Sequence, residues 1–177
     1  MNQYSGINFS KLNLDQIVDF IAQQSDAEIK STLDFTDSTF KSLVKDNHVE
    51  KKFYLLYQCF QKFKEIIEYQ IRKEELILFP VLKNMDKQNS MDNGSVSQDL
   101  NKPINIISKD HERILRLLMT LKNHAAYFSN TSDENIRLCL QNIENLDNCI
   151  NENIRFHKNV LFPKILNMQN GQKDILN

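Results

Sequence analysis

Six polar side chains fall on the apolar stripes of helical patterns, where an unpaired polar group is costly to bury. They are Asp26, Gln70, Glu74, His111, Asn153 and His157. Carboxylates and imidazoles that project inward from four helices are how helical bundles build di-iron sites. The set Glu74, His111 and His157 also matches the two-histidine, one-carboxylate ligands of a mononuclear non-haem iron centre. For any one of these residues alone, a satisfied buried hydrogen-bond network is the simpler interpretation.

Four helices are predicted because apolar residues recur at alternating steps of three and four in four stretches of the chain. Asp26 lies in the first half of helix one, and His111 lies near the start of helix three. The seam of helix two continues through Gln70 and Glu74 to Ile77, near its end. The seam of helix four continues in the same way through Asn153 and His157 to Val160. In an antiparallel up-down-up-down four-helix bundle these places share one end, so the polar groups should converge.

Few residues interrupt these helices, since the chain has only 3 glycines and 3 prolines. Asn13 is a predicted N-cap, with Gln16 three residues later completing a capping box. The segment 83–103 is predicted to be a loop and 129–133 a turn with Ser and Thr caps, with a weak break at 47–48. Pro80 and Pro163 are each expected to stop or kink a helix. We therefore expect one domain at 13–168, with an N-terminal extension at 1–12 and a tail at 169–177.

The composition is that of an ordinary globular protein of the cytoplasm. The chain has 177 residues, 41% hydrophobic and 25% charged, with a net charge of −1. This balance favours neither nucleic acid nor an anionic membrane as a partner. No apolar run reaches the ~18 residues of a membrane span, and no secretory signal is visible. The three cysteines lack metal-ligand spacing and are predicted to be buried free thiols.

Three further residues rank below the six. Glu75 lies one position off the seam and is expected to be solvated or to contact a metal ligand without binding the metal itself. His48 lies at the far end of helix one, where it is expected to cap a turn. His124 falls off the seam of helix three and is predicted to be exposed.

Three segments carry a resemblance to a known family: "YQIRKEELILFP", "IISKDHERILRLL" and "NENIRFHKNVLFP". They resemble the hemerythrin-like family, and most closely its di-iron proteins that repair iron–sulfur clusters after nitrosative or oxidative stress. The resemblance covers about residues 13–167 and implies an all-α bundle in which both Leu-Phe-Pro copies end ligand-bearing helices at one end.

The resemblance also implies which residues would hold iron. Glu74 and His111 stand where the family has ligands, and Asp110 supplies the acid that precedes the histidine of helix three. The chain departs from the family at four positions: Asp26, Gln70 and Asn153 stand at family histidines, and His157 stands at a family glutamate. Asn and Gln are weaker iron ligands than imidazole.

Two functions follow as hypotheses. The first is a metal-binding hemerythrin-like protein with an altered mono- or dinuclear iron site, whose partners would be iron–sulfur proteins or a diatomic gas. The second is a bundle that has lost its metal and serves as a binding or regulatory module. An oxygen carrier is disfavoured because that chemistry needs the full histidine set, and enzymatic activity is less expected than its absence. The sequence leaves the oligomeric state open.

Overall fold

A computed structural model describes residues 7–45, 50–89 and 100–175, with the backbone alone for 86–89 and 170–175. Within these ranges all regular secondary structure is helical, and four long helical stretches form a bundle. No helix of the described ranges is long and apolar enough to cross a membrane. His48 and the predicted break beside it lie outside the described residues.

Three of the four long stretches consist of two α-helices joined by a five-residue π-helical turn. The first stretch contains α1 (Leu14–Phe20), π1 (Ile21–Ser25) and α2 (Asp26–Lys45). The second contains α3 (Lys51–Lys73), π2 (Glu74–Leu78) and α4 (Phe79–Asn89). The third is α5 (Asn101–Ala126), and the fourth contains α6 (Glu134–Phe156), π3 (His157–Leu161) and α7 (Phe162–Ile175). A short 3₁₀ helix, Phe9–Lys11, precedes them.

The N-cap predicted at Asn13 is confirmed. The side chain of Asn13 accepts a hydrogen bond from the backbone N–H of Gln16 at 2.9 Å, and Gln16 Oε1 accepts the N–H of Asn13 at 3.0 Å. This reciprocal pair is the predicted capping box. The turn at 129–133 was predicted to have Ser and Thr caps, but the N-cap of α6 is Asp133, whose side chain accepts two backbone N–H groups at the start of the helix.

The four stretches surround two separate apolar clusters. Helices α2, α3, α5 and α6 enclose the larger one, which we call the main core and which holds Phe40, Phe53, Phe60 and Phe63. In this ring α2 packs against α3 and α6, and α5 packs against the same two helices. The second cluster, the end core, is built by α1, π2, α4, the start of α5, π3 and α7. Both Leu-Phe-Pro segments contribute to the end core, through Leu78, Phe79, Leu161 and Phe162.

Pro80 and Pro163 were expected to stop or kink their helices, and neither of them stops its helix. Each proline lies two residues after the last residue of a π turn and is the second residue of the next helix, α4 or α7. A proline in a regular helix would clash with the carbonyl group four residues earlier and lacks the N–H that bonds it. The wider π turn changes that hydrogen-bond pattern just before each proline, so the helix continues.

The residues that are buried after the π turns also differ from those that the predicted seams contain. Ile77 was predicted to face the core but is 63% exposed, whereas Leu78 is 3% exposed. In the fourth stretch Leu161 is buried and Val160 only partly so. One extra residue per turn rotates every following side chain by about 100°, which moves the buried position by one.

The predicted loop and tail are shorter than expected. Helix α4 continues to Asn89 and α5 begins at Asn101, inside the predicted loop 83–103. Pro103 is the third residue of α5, in the first turn, where the missing N–H removes no helical hydrogen bond. Helix α7 runs to Ile175, through most of the segment expected as a tail.

Candidate metal centre

A layer of buried polar side chains separates the main core from the end core. Its members are at most 8% exposed: Ser25, Asp26, Gln70, Glu74, His111, Asn153 and His157. Each long stretch brings polar groups to the layer between apolar neighbours of the two cores. On α5, for example, Ile107 of the end core and Ile114 of the main core flank His111. The predicted convergence of six polar residues is therefore present, and Ser25 is an additional member that the sequence analysis missed.

Glu74 occupies the middle of the layer. Its Oε2 lies 3.0 Å from Nε2 of His157, and its Oε1 lies 3.4 Å from Nε2 of His111. The side-chain amide of Gln70 also donates to Oε1 of Glu74, at 2.7 Å. One potential ligand atom from each of Glu74, His111 and His157 lies within 4.8 Å of the others.

The second nitrogen of His157 determines what the first can do. Nδ1 lies 2.9 Å from the backbone carbonyl oxygen of Asn153, which can only accept a hydrogen bond. Nδ1 therefore carries a proton. Nε2 then either carries a second proton, which makes an imidazolium that donates to Glu74, or presents its lone pair to a metal ion. A backbone carbonyl that orients the ring in this way is also how metal-binding histidines are held.

Asp26 is the least satisfied member of the layer. Its Oδ1 accepts a hydrogen bond at 3.0 Å from the side-chain amide of Asn153, which also lies 2.7 Å from Oγ of Ser25. Its Oδ2 is buried and has no hydrogen-bond partner among the described residues. A buried acceptor left in this way costs about 1–3 kcal/mol. A cavity of about 20 Å³, lined in part by Asp26, Glu74 and His111, adjoins it and has room for a water molecule or an ion.

Burial and mutual interaction shift the pKa values of three of these groups. Burial, reinforced by the negative charge of Glu74, raises the pKa of Asp26 to about 7. Burial opposes ionisation of Glu74 too, but the charge of His157 and hydrogen bonds from His111 and His157 hold the pKa of Glu74 well below its usual range. Burial alone would lower the pKa of His157, but the attraction of Glu74 raises it to about 9. Without a metal, the layer at neutral pH thus holds an ion pair between Glu74 and His157.

Phe162 of the second Leu-Phe-Pro segment packs against both imidazoles. Its ring lies nearly parallel to that of His111, with centroids 6.2 Å apart, and is tilted by 66° to that of His157 at 5.8 Å. The two imidazoles are 5.1 Å apart and nearly perpendicular. The repeated motif therefore places an aromatic face beside the two histidines, a role that the sequence analysis did not assign to Phe162.

All three π turns adjoin the layer. Turn π1 ends just before Asp26, π2 begins at Glu74 and π3 begins at His157. Each is closed by a backbone hydrogen bond to the carbonyl five residues earlier, as from the N–H of Phe79 to Glu74. Such turns occur frequently at functional sites. The sequence has no distinct signal for them, because Leu78 and Leu82 follow Glu74 by four and eight residues, a spacing that also fits a regular helical stripe.

The remaining candidates lie outside the buried group. Asp110 forms an ion pair with Lys73 at the edge of the bundle instead of joining the layer. Glu75 pairs with Lys30 at 2.7 Å and is half-buried. The exposure predicted for His124 is confirmed.

The cysteines are free thiols, as predicted, although only Cys139 is fully buried. Cys59 and Cys149 are half-buried. Burial raises the pKa of Cys139 to about 12 and that of Cys149 to about 11, which makes both poor metal ligands and nucleophiles at neutral pH.

The donor set suits one metal ion and falls short of two. Glu74, His111 and His157 could hold a single ion, and Asp26 adds a second carboxylate beside them. Donor atoms bound at ~2.1 Å to one ion lie about 3 to 3.5 Å apart, close to the spacing around Glu74. Di-iron bundles typically supply four carboxylates and two histidines, and this layer has only two carboxylates.

Neither the models of known protein families nor the curated proteins compared with the chain give a match. The resemblance to hemerythrin-like proteins therefore remains a prediction based on the three motif segments. The chemistry of the site is defined by its own residues.

Proposed function

We propose that the protein binds one divalent transition-metal ion, with iron as the expected metal, through Glu74, His111 and His157. The observation that carries this proposal is the approach of one carboxylate and two imidazoles to within 4.8 Å in a buried layer. Two histidines and a carboxylate are the ligands of mononuclear non-haem iron sites. Asp26 is the proposed fourth ligand, because its unpartnered Oδ2 would gain a bond.

Each of these residues has a separate task in the proposed site. Glu74 supplies the negative charge, and its contact with Gln70 orients the carboxylate. The carbonyl group of Asn153 holds His157 in the tautomer whose Nε2 can bind a metal. Phe162 keeps water from the adjoining faces of the imidazoles. A bound iron ion would supply Lewis acidity and an open coordination position for a small ligand.

We further propose the hemerythrin-like arrangement, an antiparallel up-down-up-down bundle. The order of the cores along the chain supports it. The first stretch runs from Ile21 of the end core to Ile29 of the main core, whereas the second runs from Ile71 of the main core to Leu78 of the end core. The third and fourth stretches repeat this alternation.

In the cell, the resemblance favours a role in the cytoplasm in the nitrosative or oxidative stress response or in iron–sulfur cluster repair. Iron–sulfur proteins or a diatomic gas would be the partners, and the protein itself would bind rather than catalyse. This part of the proposal rests on the motif segments alone.

A metal-free binding or regulatory module is the second candidate, favoured by a different observation. The Glu74–His157 contact of 3.0 Å forms a complete ion pair without any metal, and Gln70 completes the bonding of Glu74. Only Asp26 Oδ2 and the side-chain nitrogen of Asn142 are buried without a partner among the described side chains. In that case the polar layer only fixes how the helices of the bundle pack, and another part of the protein carries the function.

Metal analysis separates the two candidates. Protein purified without chelator, then loaded anaerobically with ferrous iron, should retain about one ion per chain after desalting and melt at a higher temperature than the metal-free protein. The variant Glu74→Gln should lose both effects, and Glu75→Gln, the same change one residue away and outside the layer, should keep them. Absence of stoichiometric metal in the unaltered protein, with no effect of iron on its melting, supports the metal-free candidate.

A further inference from the structure

A groove on the surface between α3 and α5 lies directly outside the polar layer. Its volume is about 340 Å³, at the small end of the range for ligand pockets. Tyr69 and Arg72 border it from α3, and Asp110 and Arg113 border it from α5. The groove is therefore framed by the two long stretches that contribute Glu74 and His111.

The charges of the groove leave two arginines without a counter-ion. Its acidic residues already have cationic partners: Glu65 pairs with Lys62 at 2.6 Å, Glu68 with Lys64 at 3.7 Å, and Asp110 with Lys73. Arg72 and Arg113 are exposed and make no ion pair or hydrogen bond with any described residue. Two free guanidinium groups on neighbouring helices are suited to the planar oxygens of a carboxylate or phosphate group.

The floor of the groove is also a wall of the inner cavity. Gln70 and Ile114 line both the surface groove and the cavity beside Asp26 and Glu74. Gln70 is 5% exposed and donates its hydrogen bond to Oε1 of Glu74. A molecule in the groove is thus separated from the proposed metal ligand by a single side chain.

We propose that this groove binds a small organic anion, whose carboxylate or phosphate group is held by Arg72 and Arg113, and that Gln70 transmits its presence to the metal centre. The effect on the centre rests on the proposed function, but the binding itself does not. Tyr69 offers an exposed ring to the organic part of the ligand. An anion in the groove would displace the side-chain amide of Gln70. This would alter the hydrogen bond that Gln70 donates to Glu74 and so the environment of the metal ion.

Titration with benzoate and with phenyl phosphate tests the binding. Both are added to the full chain, metal-free and loaded with Co²⁺ as a coloured probe, while protein NMR and visible absorption are recorded. We expect saturable binding of at least one of them, and the one that binds more tightly identifies the anionic group. The double variant Arg72→Ala, Arg113→Ala should weaken binding about tenfold or more. Arg155→Ala, which removes an exposed arginine on α6, should leave it unchanged.

The absorption of bound Co²⁺ tests the connection to the centre. It should change on anion binding in the unaltered protein and stay constant in the double variant. Absence of saturable binding, or equal weakening by Arg155→Ala, overturns the assignment of the groove. Binding without any change in Co²⁺ absorption overturns the role of Gln70. If Co²⁺ fails to bind while the anion still binds through the two arginines, the proposed metal function fails and the groove assignment stands.

Discussion

His157 and Glu74 lie 83 residues apart in the chain, and Nε2 of the first is 3.0 Å from Oε2 of the second. The same offset separates the two Leu-Phe-Pro segments and the turns π2 and π3. The two copies of the repeated segment therefore lie on the same side of the layer, in the end core, and the corresponding residues Glu74 and His157 contact each other within the layer. A carboxylate opposite an imidazole can form an ion pair without metal, whereas two carboxylates there would repel each other.

Replacing His157 should strongly destabilise the metal-free protein. The variant His157→Ala leaves the carboxylate of Glu74 buried without its cationic partner, which costs about 3–5 kcal/mol. The matched change His124→Ala, at an exposed position, should stay within about 0.5 kcal/mol of the unaltered protein. Urea unfolding at pH 7 measures the free energy of unfolding of both variants. Equal stabilities of the two variants would contradict the buried ion pair.

Replacing Asp26 should act in opposite directions with and without metal. Asp26→Asn removes a buried charge with an unpartnered oxygen, so the metal-free protein should become more stable at pH 8. The same change should weaken metal binding about tenfold or more, because an amide is a poorer ligand than a carboxylate. Thermal melts and metal titrations check the two effects.

The control for Asp26 is Asp34→Asn, an exposed aspartate on the same helix. This change should leave the stability of the metal-free protein and its affinity for metal nearly unchanged. A variant Asp26→Asn that binds metal as tightly as the unaltered protein would remove Asp26 from the proposed ligands.

The stability of the metal-free protein should fall as the pH rises from about 5 to 9. The pKa of Asp26 is raised from 3.8 to about 7, so between these values the folded state retains a proton that the unfolded chain has lost. The pKa of His157 is raised from 6.5 to about 9, so its stabilisation is complete below 6.5 and is lost as the pH rises through 9. The lowered pKa of Glu74 acts in the other direction, and its contribution is lost only as the pH falls below 4.5.

Urea unfolding at pH 5, 7 and 9 measures this dependence. In the variant Asp26→Asn, the free energy of unfolding should change little between pH 5 and 7 and should still decrease toward pH 9. A stability that rises steadily from pH 5 to 9 would be inconsistent with both assignments.

The sequence was sufficient to predict the four long helical stretches and six members of the polar layer, but not Ser25 or the π turns beside the layer. The cap at Asn13 and the convergence of Glu74, His111 and His157 follow from local rules and from a constant helical period. The π turns break that period, so Ile77 was assigned to the core in place of Leu78. Contacts between distant helices, such as Asn153 with Asp26, depend on side-chain positions that no periodicity specifies.

Deleting Ile77 should separate the role of π2 in the site from its role in the fold. The deletion converts the five-residue turn into a regular α-helical turn and brings Leu78 to the position predicted for the seam. We expect helical content near that of the unaltered protein, but loss of metal binding because Glu74 changes its orientation. Circular dichroism and metal analysis measure the two results.

Deleting Met119 is the control, since this residue is also exposed but lies in the regular helix α5. There the deletion turns Leu121 and Ala125 away from the main core, and the protein should fail to fold. If both deletions unfold the chain, π2 is a requirement of the bundle itself.

The polar layer also separates the two apolar cores, so we expect them to behave as two cooperative units. Apolar burial stabilises each core separately, and the side-chain contacts described within the layer between them are hydrogen bonds and an ion pair. The end core draws on α1, α4 and α7, so we expect it to open at a lower free energy than the middle of α3 and α5. Native-state hydrogen exchange should therefore show faster exchange in α1, α4 and α7, and uniform protection would contradict this division. A metal ion held by residues of all four long stretches, with Asp26 as the fourth ligand, would couple the two units, so its release would depend on how often the end of the bundle opens.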